Sequence, residues 1–180
     1  HLEKDLTYAP DATPRTSTLF WEKWFWTIMS PGNSLPVSVD LPYADTTQAA
    51  RFRLRQWGLT DNAEFGNCPD DEPDHYLDVT VNGSALVFPR ARWFSFLARR
   101  GGQVTLDTTT TFLRRFGNAV NIKVPSVSTP GCPGRVDKSA LAWFEIHYQR
   151  FLQPEADALE FHSPASSGTF HYEVGPFVRS

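Results

Sequence analysis

Glu145, His147 and Tyr148 stand almost side by side, and His162 and His171 follow farther along the chain. On an extended strand Glu145 and His147 share one face, about 7 Å apart at the backbone. A carboxylate and an imidazole that close can pass a proton, the elementary step of general acid–base catalysis. Such catalysis also needs a pocket in which substrate meets groups of shifted pKa, and spacing does not supply one. Trp143 and Gln149 lie on the same face, the mixed composition of a strand turned to water. The stretch therefore carries two readings, a small hydrolase acting through Glu145 and His147, or a strand whose polar side chains are solvated.

Other reactive types are scattered. His1, His75, His147, His162 and His171 offer imidazoles, yet no HExxH or Cys/His cluster sets them at ligand spacing. In "PDDEPD", Asp70, Asp71, Glu72 and Asp74 offer hard oxygen ligands suited to calcium, without the glycine and terminal Glu of an EF-hand loop. The plain alternative is an acidic solvated loop. Cys68 and Cys132 are the only cysteines, and each precedes a proline among turn residues. A disulfide between them would stabilise by about 2–4 kcal/mol; two free thiols are the other reading. No GxSxG elbow, Walker loop or GxGxxG occurs, and nothing near either cysteine nominates a base, so no catalytic residue is assigned.

Six tryptophans are many for 180 residues. "LFWEKWFW" gathers Phe20, Trp21, Trp24, Phe25 and Trp26. Aromatic density of this kind builds either a core or domain interface, or a platform for sugars or protein partners. Trp21, Trp24, Trp26 and Trp143 are the candidates for binding.

The elements that must position these groups read as strands. Short alternating runs separated by turn signals recur while helical periodicity is scarce, which predicts antiparallel sheets rather than βαβ units. In "ARFRLRQW", Phe52 and Leu54 point inward and Arg51, Arg53 and Arg55 outward. Leu77, Val79 and Val81 form the next inward set, followed by Asn82-Gly83, which suits a type I′ hairpin turn. Val120, Ile122 and Val124 alternate after Gly117-Asn118, and Phe144, Ile146 and Tyr148 share a face. Phe161, then Phe170, Tyr172 and Val174, mark closing strands. The sum is an all-β antiparallel sandwich of about eight strands over residues 1–180, with one or two short helices at Ala91–Leu97 and Glu155–Ala158.

Composition narrows the partners. Apolar residues make up 41% and charged residues 21%, ordinary values for a folded domain. A chain of this size buries roughly 70% of its unfolded surface, enough for a core. A net charge of -3 leaves no electrostatic footprint for nucleic acid, and the short clusters Arg51, Arg53, Arg55 and Arg99, Arg100 read as solvated faces. No apolar run nears the roughly 18 residues that span a bilayer. The chain opens on His1 and its sole methionine is Met29, so it is expected to be a piece of a longer protein.

Several stretches taken in order resemble a known family. They are "HLEKDLTYAP", "FWEKWFW", "DHYLDVTVNG", "RRFGNAVNIKV" and "LAWFEIHYQRFLQPEADALEFHSP" with "GTFHYEV". Together they are similar to the β-sandwich domain upstream of the catalytic domain in gingipain-like cysteine peptidases, including the sortase-like peptidase of type IX secretion. The matching residues are His1, Glu3, Asp5 and Tyr8; Asn82 and Gly83; Gly117 and Asn118; Trp143, Glu145, Tyr148 and Arg150; and Leu159 and Phe161. Ala142 departs from the pattern, which has Asp there. The resemblance implies a jelly-roll, galactose-binding-like domain of a secreted or cell-envelope peptidase, without the family's catalytic His and Cys. Its partners would be the adjacent catalytic domain and protein substrates, with no cofactor unless calcium binds the acidic loop. Within it, Glu145 and His147 face out or pair locally, and Arg150 pairs with a carboxylate. The alternative is a carbohydrate-binding module that uses exposed tryptophans.

Overall fold

A computed structural model describes residues 2–4, 6–8, 24–60, 73–88, 92–93, 103–127, 132, 136–154, 158–160, 169, 171–172 and 174–175. Its strands are β1 (Leu2–Glu3), β2 (Thr7–Tyr8), β3 (Trp24–Phe25), β4 (Thr27–Met29), β5 (Ser34–Val39), β6 (Ala50–Gly58) and β7 (His75–Tyr76). They continue with β8 (Asp78–Val81), β9 (Ser84–Ala85), β10 (Arg92–Trp93), β11 (Gln103–Thr110), β12 (Asn118–Lys123) and β13 (Ser139–His147).

Two antiparallel sheets result. One runs β1-β13-β6-β11, with β4 paired to the first half of β13; the other runs β5-β12-β8-β9. Period-two patterning places their inner faces together, because one face of each strand is apolar. Phe52 and Leu54 from β6, Phe144 from β13, Val79 and Val81 from β8 and Val120 and Ile122 from β12 are all buried in one cluster. Across it, Trp26 stacks on Phe144 at 5.5 Å and Phe144 on Phe52 at 5.6 Å, and Phe88 tilts against Phe52. Edge strand β5 half-buries Leu35, Val37 and Val39 and exposes Ser34, Pro36 and Ser38. Proline suits that edge, since it has no N–H to give a further strand.

Asn82 and Gly83 both take positive φ, 52° and 84°, in the predicted hairpin between β8 and β9. Beyond it, Asn118 is buried and its side chain closes the connection from β11 to β12. Asn118 Nδ2 donates to the carbonyls of Val39 and Arg114, and Oδ1 accepts from the Arg114 N–H and from Asn82 Nδ2.

A β-bulge in β13 shifts its register against β6 between Leu141 and Trp143. Strict alternation back from Phe144 would turn Ala142 and Ala140 inward. The extra residue instead sends Leu141 into the main core and Ala140 and Ala142 to the outer face. There they meet Phe25, Trp57, Leu59 and Trp143 in a second apolar cluster, so the outer face of the larger sheet is itself covered at one end.

Two expectations change. No helix occurs among the described residues. Within the stretch expected to be helical at Ala91–Leu97, Arg92 and Trp93 form β10, paired antiparallel with Tyr76 and His75; tertiary pairing overrides the local pattern. Residues 155–157 of the second expected helix lie outside the described residues. Near the end of the chain Tyr172 and Val174 are exposed rather than inward, and Val174 makes only an isolated parallel bridge to Leu152. Phe161 and Phe170 lie outside the described residues.

Candidate functional site

Two groupings of titratable side chains stand out, one on the outer face of the larger sheet and one buried. The first is the open half of its outer face. The pairing of β11, β6 and β13 sets Asp107 beside Arg53, Arg53 beside Glu145 and Arg51 beside His147. Arg51 grips the Asp107 carboxylate through Nε, at 2.8 and 3.0 Å, and through NH2. Arg53 reaches Asp107 at 3.4 Å and Glu145 at 3.1 Å, and Glu145 Oε2 lies 2.9 Å from His147 Nε2. The Arg51 hydrogen bond holds the Asp107 carboxyl below its ordinary range, with the charges of Arg51, Arg53 and His147 acting in the same direction. Asp107 in turn raises the Arg51 guanidinium.

Glu145 and His147 are therefore brought together, as strand geometry requires, but as members of a chain of ion pairs on a solvent-facing sheet. His147 is more than half exposed. Glu145 is already bound by Arg53, so its charge is shared between two cations or donors rather than held ready for a substrate proton.

The second grouping, which the sequence did not reveal, is buried. His75 on β7 and Asp137, ahead of β13, are both closed off from solvent. His75 Nδ1 lies 2.9 Å from Asp137 Oδ1, and Nε2 lies 3.0 Å from the Thr60 carbonyl oxygen. Asp137 Oδ2 accepts the Tyr76 N–H at 3.0 Å. Thr60 Oγ1 donates to the Val136 carbonyl and accepts from the Lys138 N–H, so the two segments are laced together on both sides of the imidazole.

Because a carbonyl oxygen only accepts, Nε2 must carry a proton, and a second proton must lie between Nδ1 and Oδ1. A His–Asp pair serving a nucleophile would leave Nε2 facing that nucleophile. Here Nε2 faces backbone, and the arrangement is that of a staple joining residues 59–60, 75–76 and 136–138. Nearby, Gln56 Nε2 donates to Ser139 Oγ at 2.8 Å on the buried side of β6 and β13.

The aromatic candidates divide. Trp26 is buried in the main core with Lys4 over its ring. Trp24 belongs to β3, paired with Tyr8, and Trp21 lies outside the described residues. Trp143 is half-buried on the outer face, with the Arg53 guanidinium 5.8 Å from its ring. Trp57, which spacing did not single out, is 2% exposed and meets Phe25 edge to face. The Trp26 and Trp57 rings are thus core.

Asp70, Asp71 and Glu72 lie outside the described residues, and Asp74 is buried immediately before β7. Among the described residues no three His, Cys, Asp or Glu side chains stand close enough to hold a metal ion. Cys132 is disulfide-bonded; Cys68, the only other cysteine, lies outside the described residues. His1 and His162 lie outside them as well, and His171 is exposed. Arg150 lies over the Tyr43 ring and donates to the Gln153 carbonyl, a correction to its expected carboxylate partner.

No known family model, curated protein or solved structure matches the chain. No helix among the described residues is long and apolar enough to cross a membrane.

Proposed function

We propose that the chain is a non-catalytic accessory module of a secreted or cell-envelope gingipain-like cysteine peptidase. Its β-sandwich would be a galactose-binding-like jelly-roll that supports the adjacent catalytic domain or presents a surface to protein substrates. The observation that carries this reading is that the motif residues shared with that family serve as scaffold. Asn82 and Gly83 make a hairpin, Asn118 ties a loop shut, Trp143 packs in the outer cluster and Glu145 sits in the ion-pair chain. The bonded state of Cys132 suits an oxidising compartment such as the cell exterior or periplasm.

The coding sequence downstream of Ser180 tests the proposal. Continuation into a domain with a paired catalytic His and Cys is expected, and a stop codon close after Ser180 overturns it. Casein hydrolysis by purified 1–180 would overturn the non-catalytic part. The carbohydrate-binding alternative retains the half-buried ring of Trp143, and Arg53 lies over that ring.

A further inference from the structure

One end of the sandwich displays aromatic rings and guanidinium groups on a loop that is held rigid. Residues 111–117 connect β11 to β12, and their backbone is fastened at several points. Asn82 Nδ2 donates to the Phe112 carbonyl, Asn118 binds both the N–H and the carbonyl of Arg114, and the Leu41 N–H donates to the Arg115 carbonyl. Asp40 Oδ1 accepts the Gly117 N–H at 2.7 Å, where Gly117 takes a positive φ of 63°.

Leu113 packs against the main core, but most side chains of this fastened loop point to water. Phe116 is 66% exposed and Phe112 44%. Arg115 lies over Phe151, itself 46% exposed, and Arg150 lies over Tyr43. The loops at 40–45, 111–117 and 148–153 are joined here, since Arg115 Nε donates to the Ala44 carbonyl and Ala44 bridges Arg150.

The charges at this end are unevenly committed. Asp40 and Asp45 are turned to internal use, on the Gly117 N–H and on the Thr47 N–H and hydroxyl. Arg114, Arg115 and Arg150 are exposed, and although Arg115 and Arg150 each give one N–H to a backbone carbonyl and Arg115 acts on Asp45, a guanidinium carries five N–H donors. Phenylalanine with arginine is the composition enriched at the centres of protein interfaces. A loop already ordered gives up little conformational freedom on binding, so its exposed rings lose less affinity to ordering than a flexible loop would. The two Asp residues alongside disfavour an anionic bilayer and favour a partner whose charges can be placed one by one.

We infer that this end is a docking surface for an extended protein segment in which carboxylate side chains alternate with apolar ones. The rings of Phe112 and Phe116 take the apolar residues, and Arg114, Arg115 and Arg150 take the carboxylates. The inference needs only the sandwich itself, so its failure would leave the accessory-domain reading standing, and the reverse also holds.

Fluorescence polarisation on the full 1–180 chain tests it, with a short labelled peptide of alternating Glu and Phe, its Lys–Phe counterpart, and phosphatidylserine vesicles as a separate arm. Saturable binding of the Glu–Phe peptide alone is expected. Phe116→Ser and Arg114→Ser should each weaken that Kd by roughly tenfold. Neither should move the thermal midpoint, because both side chains are exposed. No saturable binding of the Glu–Phe peptide, binding unchanged in both variants, or equal binding of the Lys–Phe peptide would overturn it. Vesicle binding that is lost in the same variants would assign the loop to lipid instead.

Discussion

Truncating Asp137 to alanine distinguishes a structural staple from a reactive pair. Asp137 and His75 are 1% and 0% exposed, and the carboxylate serves both the imidazole and the Tyr76 N–H. Asp137→Ala takes both of these acceptors at once out of a site closed to water. Breaking a buried pair in this way costs about 3–5 kcal/mol. Total stability for a domain is about 5–15 kcal/mol, so the loss is a large share of it. At about 2–4 °C per kcal/mol for this chain length, the thermal midpoint should fall by about 6–20 °C. Fluorescence of the buried Trp26 and Trp57 reports the transition directly. Glu145→Gln is the control, since its ion pairs lie on the outer face and are only partly buried, a setting worth about 1 kcal/mol, and its midpoint should shift by less than about 4 °C. If Asp137→Ala melted as the native chain does while Glu145→Gln lost many degrees, the assignment of the buried pair as staple and the surface pair as solvated would be refuted.

Three further outcomes follow from the same packing and pairing. Asp107 should titrate by NMR with a midpoint below 3.8, and Arg51→Gln should move it upward, because the Arg51 hydrogen bond is the chief cause of the lowering. With its folded value depressed, this carboxylate contributes stability above the unfolded pKa that is lost as pH falls through the folded one, so Asp107→Asn should flatten the acid limb of the stability curve. Under denaturing, non-reducing conditions a thiol reagent should find no free cysteine, and reductant should lower stability by about 2–4 kcal/mol. Finally, Gln56→Met with Ser139→Ala removes both members of a buried polar pair, and urea unfolding should show the double variant to be neutral or more stable. The single Ser139→Ala variant, which leaves Gln56 Nε2 the weak acceptor Met29 Sδ at 4.0 Å, should lose about 1–3 kcal/mol.

Much of the scaffold was legible from residue order because a strand half-buried in a sandwich writes its two faces into alternate positions. Phe52 and Leu54 against Arg51, Arg53 and Arg55, the inward Val79, Val81, Val120 and Ile122, and the Asn82-Gly83 turn are local consequences of side-chain type and backbone geometry. The same rule put Glu145 and His147 on one face. It did not say that Arg53 and Asp107 would claim that face, since cross-strand neighbours depend on which strands pair and in what register.

What only the tertiary structure decided shares that cause. Asp137 meets His75 across a separation of 62 positions, and no local pattern marks either residue for the other. The bulge at Ala142 reverses the faces of Ala140 and Leu141, an outcome set by packing against Phe25 and Trp57 rather than by any breaker in the sequence. Arg92 and Trp93 became a strand because an edge at His75 and Tyr76 was there to receive them. Residue types alone determined that extended segments would seal an apolar interior. Which polar groups were locked inside, and which arginines and phenylalanines were left facing outward at one end, depended on long-range register.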